Sequence, residues 1–336
     1  MMFGDAAGAW LPLAFLGLMG AAMLAYVVLD GYDLGVGILL RRASDGDKEI
    51  MLASIGPFWD ANETWLVLGV GILLVAFPLA HGVILTALYL PVALMLVGLV
   101  LRGAAFDFRV KAQDKHRASW NAAFYAGSWL TSAAQGYMLG WWILGFAHGW
   151  GAAAFCALIA LCVVSGYSLM GAAWLVMRTE GDLQVRAIAW ARRSLWVTGI
   201  GILTVSIATP LISTRIFERW FSLPNLLLLA PIPAATLTLF VLTARCLARL
   251  PQPRDRQAWI PFACTVGMFA LAAAGLAYSI FPYLVVDRIT AAQAASAPES
   301  LAIVFAGVVL VLPFIVAYNV YTYRVFRGKA RPLSYD

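Results

Sequence analysis

The feature that most limits what this chain can become is a succession of nine apolar runs: Trp10–Leu40, Pro57–Phe77, Gly82–Leu101, Trp120–Phe146, Gly151–Met177, Leu195–Ile212, Leu226–Leu247, Trp259–Phe281 and Leu301–Phe326. A helix of about 20 apolar residues, rising 1.5 Å per residue, matches the hydrocarbon thickness of a bilayer. Nine such runs joined by short polar links predict an all-α integral membrane protein with about nine transmembrane helices, one membrane domain spanning residues 1–336. Composition agrees: 62% of residues are hydrophobic and 12% are charged, where a soluble domain carries about 25% charged residues. Several runs exceed the thickness they must cross, so tilt or extension past the hydrocarbon is expected.

The basic residues set the orientation. All but three of the 23 lysines and arginines lie at the ends of, or after, the first, third, fifth, seventh and ninth runs; the exceptions are Arg215, Arg219 and Arg288. Positive charge stays on the cytoplasmic side, which places the N-terminus outside and the C-terminus inside. The net charge of +6 is spread through short loops rather than massed on one face, so no nucleic acid is expected as a partner; membrane lipid is. The first run lacks a basic leader and continues past 25 residues, which argues against a cleaved signal peptide. The four cysteines, Cys156, Cys162, Cys246 and Cys264, form no C-x-x-C pair and read as buried packing thiols.

An internal similarity hints at duplication. Val28–Asp47 (VLDGYDLGVGILLRRASDGD) aligns without gaps on Val163–Asp182 (VVSGYSLMGAAWLVMRTEGD) at an offset of 135, matching Gly31/Gly166, Tyr32/Tyr167, Leu34/Leu169, Leu40/Leu175, Gly46/Gly181 and Asp47/Asp182. This predicts two four-helix bundles in parallel repeat, residues 10–147 and 151–281, with an additional C-terminal helix at 300–326. Asp30 and Asp33 correspond to Ser165 and Ser168, so the halves differ where the chemistry is.

Acidic residues inside hydrocarbon are costly, about 2.5–3.5 kcal/mol each, and their presence marks function. Asp30 and Asp33 stand at i and i+3 late in the first run, before Arg41 and Arg42. In the second run only Trp65–Phe77 is purely apolar; at about 20 Å it falls short of the hydrocarbon, which draws Asp60, Asn62 and Glu63 toward membrane depth on the cytoplasmic side. Asp60 and Glu63 share a helix face. A capping box, with Asp60 as N-cap and Glu63 reaching back, is the plain structural alternative; for Asp30 and Asp33 the alternative is helix-packing hydrogen bonds. A carboxylate cluster open to the cytoplasm fits proton entry, since burial raises carboxyl pKa values toward neutrality.

Other polar residues read as structural. Arg102, Asp107 and Arg109 in LRGAAFDFR form a salt-bridged cytoplasmic anchor, and Ser128, Thr131, Ser132 and Gln135 hydrogen-bond between helices. Pro313 marks a kink, and Tyr318, Tyr321 and Tyr323 act as interfacial anchors. His81 and His148 fall in outer turns and His116 in an inner loop, so a haem held between helices of this chain is not expected, nor is a metal. No nucleotide-binding loop or metalloprotease motif is visible.

DGYDLGVGIL (Asp30–Leu39) followed by IGPFWDANETWL (Ile55–Leu66) resembles subunit II of the cytochrome bd-type quinol (ubiquinol) oxidases. LRGAAFDFR (Leu101–Arg109), PYLVVDRITAAQAASAPESL (Pro282–Leu301) and YNVYTYRVFRGK (Tyr318–Lys329) fit the same pattern, so the resemblance spans nearly the whole chain. Better-known members read W-D-G-N-Q where this chain has Trp59-Asp60-Ala61-Asn62-Glu63, and their outer loops are often longer; both departures resemble the branch called cyanide-insensitive oxidases. The resemblance implies a haem-free subunit that binds no cofactor itself and packs against a subunit I carrying b haems and haem d. The complex it implies oxidises quinol and reduces O₂ to water, drawing protons from the cytoplasm without pumping. This chain is then not catalytic alone. Asp60, on the W-D-x-N motif, is the first candidate for proton uptake and Asp30 the next, with Asp33 and Glu63 beside them; Trp59 and Asn62 are anchors. A small third subunit and a quinone on this chain stay open. The competing readings are a proton-coupled secondary transporter and a purely structural scaffold.

Overall fold

The computed structural model describes residues 2–252 and 255–331. Among the described residues the regular structure is helical except for one two-stranded ribbon: α1 (Met2–Leu39) with a 3-10 turn (Leu40–Arg42), α2 (Asp45–Ile55), α3 (Trp59–Ala76), α4 (Pro78–Lys111), α5 (Asp114–Ile143), α6 (Trp150–Arg178), α7 (Gly181–Ile212), α8 (Thr214–Phe221), α9 (Asn225–Leu229), α10 (Pro231–Arg249), α11 (Ile260–Ile280), β1 (Tyr283–Val285), β2 (Ile289–Thr290), α12 (Ala291–Ala294) and α13 (Pro298–Val325). Eight segments among the described residues are long and apolar enough to cross a membrane: Trp10–Arg42, Trp59–Ala76, Pro78–Arg109, Trp150–Arg178, Gly181–Ile212, Asn225–Arg249, Ile260–Ile280 and Pro298–Val325. The fourth apolar run falls on α5, which has 30 residues but is not among the eight. Its Ser128, Thr131 and Ser132 are wholly buried, so the polar residues of its middle are turned inward, while Lys115, His116, Arg117 and Ser119 at its start are exposed.

Several boundaries differ from the sequence reading. His81 and Gly82 are not a link but lie within α4, which starts at Pro78, leaving Phe77 alone between α3 and α4. Proline suits a helix start because its missing N–H would have no partner there. The polar stretch after Arg42 is not a plain loop: it holds α2, whose first turn carries Asp45 and Asp47. The sixth run is only the second half of α7, which begins at Gly181; Leu183, Ala187, Ile188 and Ala191 of its first half are buried, so packing extends this helix beyond its apolar part. The seventh run breaks at Ala230, where α9 gives way to α10 with Pro231 in its first turn.

The chain divides into two compact units. The first comprises residues up to Asp30, Gly56–Ala87 and Ile280–Gly328. In it α1 and α13 meet through Trp10 and Phe15, whose rings pack edge-on to Phe305, and Gly17, Ala21, Val308 and Pro313 line an apolar groove of about 500 Å³. β1 pairs antiparallel with β2, Tyr283 opposite Thr290, and α12 opens with a capping box between Thr290 and Gln293. Ser296 then binds the end of α3, its N–H donating to the Ala76 carbonyl at 2.9 Å and its hydroxyl to that of Val75 at 2.7 Å. Those carbonyls have no partner further along the helix, so the contact stops α3 cleanly.

The second unit comprises Gly31–Ile55, Leu88–Ser279 and the residues from Lys329 on. Its centre is α6, where Tyr167 and Leu169–Val176 are all buried. A helix apolar all round belongs in an interior. The later part of α1 packs against it without space for side chains: a Cβ on Gly35 would fall on the Tyr167 carbonyl oxygen, and one on Gly171 would meet the Gly35 backbone. Tyr32 stacks on Trp174 with ring centroids 4.2 Å apart, and Tyr167 on Phe269 at 5.9 Å.

Candidate functional site

In the first unit the second motif starts a helix at a position the sequence did not anticipate. Phe58 is the N-cap of α3 and makes no side-chain capping bond. Asp60 is thus the second helical residue rather than the cap, and the Asp60–Glu63 capping box is not the device that starts this helix. Asp60 is exposed in the first turn, where the positive end of the helix dipole favours a carboxylate. Glu63, one turn on, and Trp59 are half-buried.

Asn62 is wholly buried and joins three helices. Its Nδ2 donates to the carbonyl of Leu29 on α1 at 3.2 Å, and its Oδ1 accepts the Tyr323 hydroxyl of α13 at 3.1 Å. Tyr323 also stacks on Phe58, ring centroids 4.5 Å apart. It is therefore an interhelical strut, not the interfacial anchor its sequence position implied, while Tyr318 and Tyr321 are exposed. Asp30 follows Leu29 directly and has no exposed surface. The W-D-x-N motif thus reaches, through Asn62, the residue just before Asp30, with Asp30 buried and Asp60 exposed at the helix start.

In the second unit Asp33 is also wholly buried, on the stretch of α1 that α5 and α6 approach closely. A Cβ on Gly37 would fall on the Ser128 hydroxyl. Arg102 on α4 is 1% exposed, next to Gly127 of α5, where an added Cβ would lie 2.9 Å from the Arg102 nitrogen. The α5 polar residues divide. Thr131 donates to the Met95 carbonyl of α4 at 3.4 Å and Gln135 accepts the Tyr167 hydroxyl of α6 at 2.7 Å. Ser128 and Ser132 instead donate to Phe124 and Ser128 carbonyls one turn back on their own helix. Serine hydroxyls reach the i−4 carbonyl easily, which is why the expectation of four interhelical bonds was too generous.

Arg109 is an anchor, but not with the nearby acid. Its guanidinium forks onto Glu49 of α2 at 2.7 and 3.1 Å while Nε donates to Asn121 at 2.6 Å; Asp107 is exposed. Arg117 adds a looser contact to Glu49 at 3.6 Å. On the same helix Asp47 accepts both oxygens' worth of contact from Arg186, 2.7 Å each, and the Ser44 hydroxyl at 2.5 Å. Burial of Asp47 pushes its pKa up, but the Ser44 and Arg186 hydrogen bonds outweigh it and hold the carboxyl below its ordinary value. Sequence reasoning missed the roles of Asp47 and Glu49; the usable signal was an acidic stretch following Arg41 and Arg42 in a chain whose other polar links carry unmatched arginines. A similar clasp joins the tail, where Lys329 binds Asp255 at 2.5 Å and the Thr179 carbonyl at 2.8 Å.

As ligand donors, the histidines stand at helix margins: His116 and His148 are exposed and His81 is in the first turns of α4. They offer no facing pair for a haem between helices.

The sequence pattern of one family, described as cytochrome bd terminal oxidase subunit II, matches residues 11–326. The chain belongs to this family. A cytochrome bd terminal oxidase subunit II is a multi-pass membrane component of a bacterial respiratory oxidase, and the eight apolar helices agree with that. Among its relatives, cytochrome bd ubiquinol oxidase subunit 2 of Bacillus subtilis (strain 168) is 28% identical over 346 residues, covering 95% of this chain and 97% of the relative. Cytochrome bd-I ubiquinol oxidase subunit 2 of Escherichia coli (strain K12) is 29% identical over 198 residues, 54% of this chain and 52% of the relative. A chain in the structure of bd oxidase from Geobacillus thermodenitrificans has the same fold, with a TM-score of 0.74 at 19% identity over 94% of this chain and 98% of that one.

Proposed function

We propose that this chain is the haem-free subunit II of a bd-type ubiquinol:O₂ oxidoreductase in the bacterial inner membrane, supporting the haem-bearing subunit I and contributing to cytoplasmic proton uptake. The single observation that carries the uptake role is the Asn62–Leu29 bond, which ties the helix bearing exposed Asp60 to the backbone just before buried Asp30. Acids within membrane segments mark proton relays, and an exposed carboxylate at a helix start with a buried one behind the joint gives such a relay an entry and a next station. Glu63, half-buried one turn beyond Asp60, and Asp33, one turn beyond Asp30, extend the set of candidates. The b haems and haem d belong on subunit I in this reading, where they supply the electron transfer and O₂ chemistry. The residues here exchange and position protons.

The arrangement in the membrane follows the same reading. α5 is the ninth crossing, the polar residues of its middle facing inward. The N-terminus lies outside and the C-terminus in the cytoplasm, and two four-helix repeats precede α13. The Trp59-Asp60-Ala61-Asn62-Glu63 variant supports the cyanide-insensitive branch. The proton-coupled transporter alternative draws no support from the family.

The test is Asp60→Asn in the whole oxidase in proteoliposomes. O₂ consumption should fall several-fold while the haem spectrum and content stay normal. Unchanged turnover removes Asp60 from the path, and loss of haem makes the residue part of a scaffold instead.

A further inference from the structure

Two candidate spans, Gly181–Ile212 and Asn225–Arg249, leave only residues 213–224 between them. Connectivity therefore holds this link at one boundary of the bilayer. It is not a loop but the helix α8, N-capped by Ser213, whose hydroxyl accepts the Ile216 N–H at 3.4 Å.

At 100° per residue the side chains of α8 separate into faces. Ile216 and Trp220 turn inward: Ile216 is 1% exposed, and the Trp220 indole donates to Ser279 at the end of α11 at 2.7 Å. The Arg219 guanidinium lies 5.1 Å from the Tyr278 ring centre, and the Tyr278 hydroxyl donates to Asn225 at 2.6 Å. These contacts hold the helix against the bundle. Phe217 and Phe221, one turn apart with ring centroids 4.9 Å from each other, are left exposed. Arg215 and Arg219 fall on the opposite side of the helical wheel. Leu211 before the helix is 77% exposed and Leu223 after it 73%. Exposed aromatic and leucine side chains in this number are unfavourable in water, whereas a short helix with aromatic residues exposed, placed between two spans, suits the headgroup boundary.

We infer that α8 is an in-plane membrane anchor whose partner is the phospholipid boundary itself. Phe217 and Phe221 enter the acyl layer, while Arg215, whose Nε and Nη2 are buried, and Arg219, against the Tyr278 ring, stay with the protein. Two of the three basic residues set apart by the charge count lie on this one helix. The inference goes beyond the oxidase reading and does not depend on it.

The test uses the whole oxidase in nanodiscs of phosphatidylethanolamine and phosphatidylglycerol, spin-labelled at Phe217→Cys or Glu218→Cys after Cys162→Ala removes the half-buried native thiol. Electron paramagnetic resonance power saturation compares O₂, which partitions into lipid, with a water-soluble nickel chelate. The Phe217 label should favour O₂ over the chelate several-fold more than the Glu218 label does. A Phe217 label as open to the chelate as Glu218 overturns the anchor, because the helix then projects into water. A label immobilised and shielded from both relaxants overturns it too, because a protein then covers this face. Phe221→Cys reads the same face independently if the Phe217 variant does not fold.

Discussion

Asn62 on α3 donates its side-chain amide to the Leu29 carbonyl on α1 at 3.2 Å, one residue before the buried Asp30. A helix carbonyl has a second lone pair to offer, and a wholly buried amide must use its hydrogen-bonding capacity. The bond therefore fixes the relation of α1 to α3, and through Tyr323 that of α13 to both.

Asn62→Leu deletes both bonds and leaves the Tyr323 hydroxyl without this acceptor. It should cost about 1–3 kcal/mol, because orphaned buried polar groups are expensive. Tyr323→Phe removes one bond and keeps the ring on Phe58, so it should cost about 0.6 kcal/mol, the average for interhelical bonds in membranes. Thermal unfolding of the purified oxidase measures both. Equal midpoints for the two variants would show that Asn62 is not the joint.

Two glycines of α1 should respond in opposite ways. Gly35→Ala places a methyl on the Tyr167 carbonyl oxygen, where backbone rather than a yielding side chain receives it; a loss of about 1–3 kcal/mol or failure to assemble is expected. Gly17→Ala meets nothing within 4 Å and should stabilise the helix by up to about 1 kcal/mol. Expression yield and thermal midpoint of the whole oxidase test the pair. A tolerated Gly35→Ala would contradict the close crossing of α1 and α6.

The Asp47–Arg186 pair gives a pH signature. The folded state holds the Asp47 carboxyl below its ordinary value of 3.8. Its contribution to stability is complete above that value and is lost as pH falls through the lower, folded-state value. With Arg186 half-exposed, the contribution is about 1 kcal/mol or less. Protection factors of the α2 amides, corrected for intrinsic exchange, should therefore fall by up to about five-fold below about pH 4, and Asp47→Asn should lower them by as much already at pH 7 and flatten the change. An unaltered profile in Asp47→Asn would exclude this pair as the latch on α2.

The sequence by itself determined the membrane class, eight of the candidate spans and the family, and it singled out Asn62 as a polar residue that must find a partner. Those follow from local physics: hydrocarbon thickness sets the length of apolar runs, and a polar residue inside such a run needs a partner. What only the tertiary structure decided is which partner. Nothing near Arg109 in sequence predicts Glu49, 60 residues away, while the neighbouring Asp107 points to water. Nor does spacing distinguish Asp60, exposed at a helix start, from Asp30, wholly buried; both are acids within apolar surroundings when read along the chain. Burial is a property of what packs alongside. It was settled here by helices distant in sequence, α13 over Asn62 and α6 against the glycines of α1.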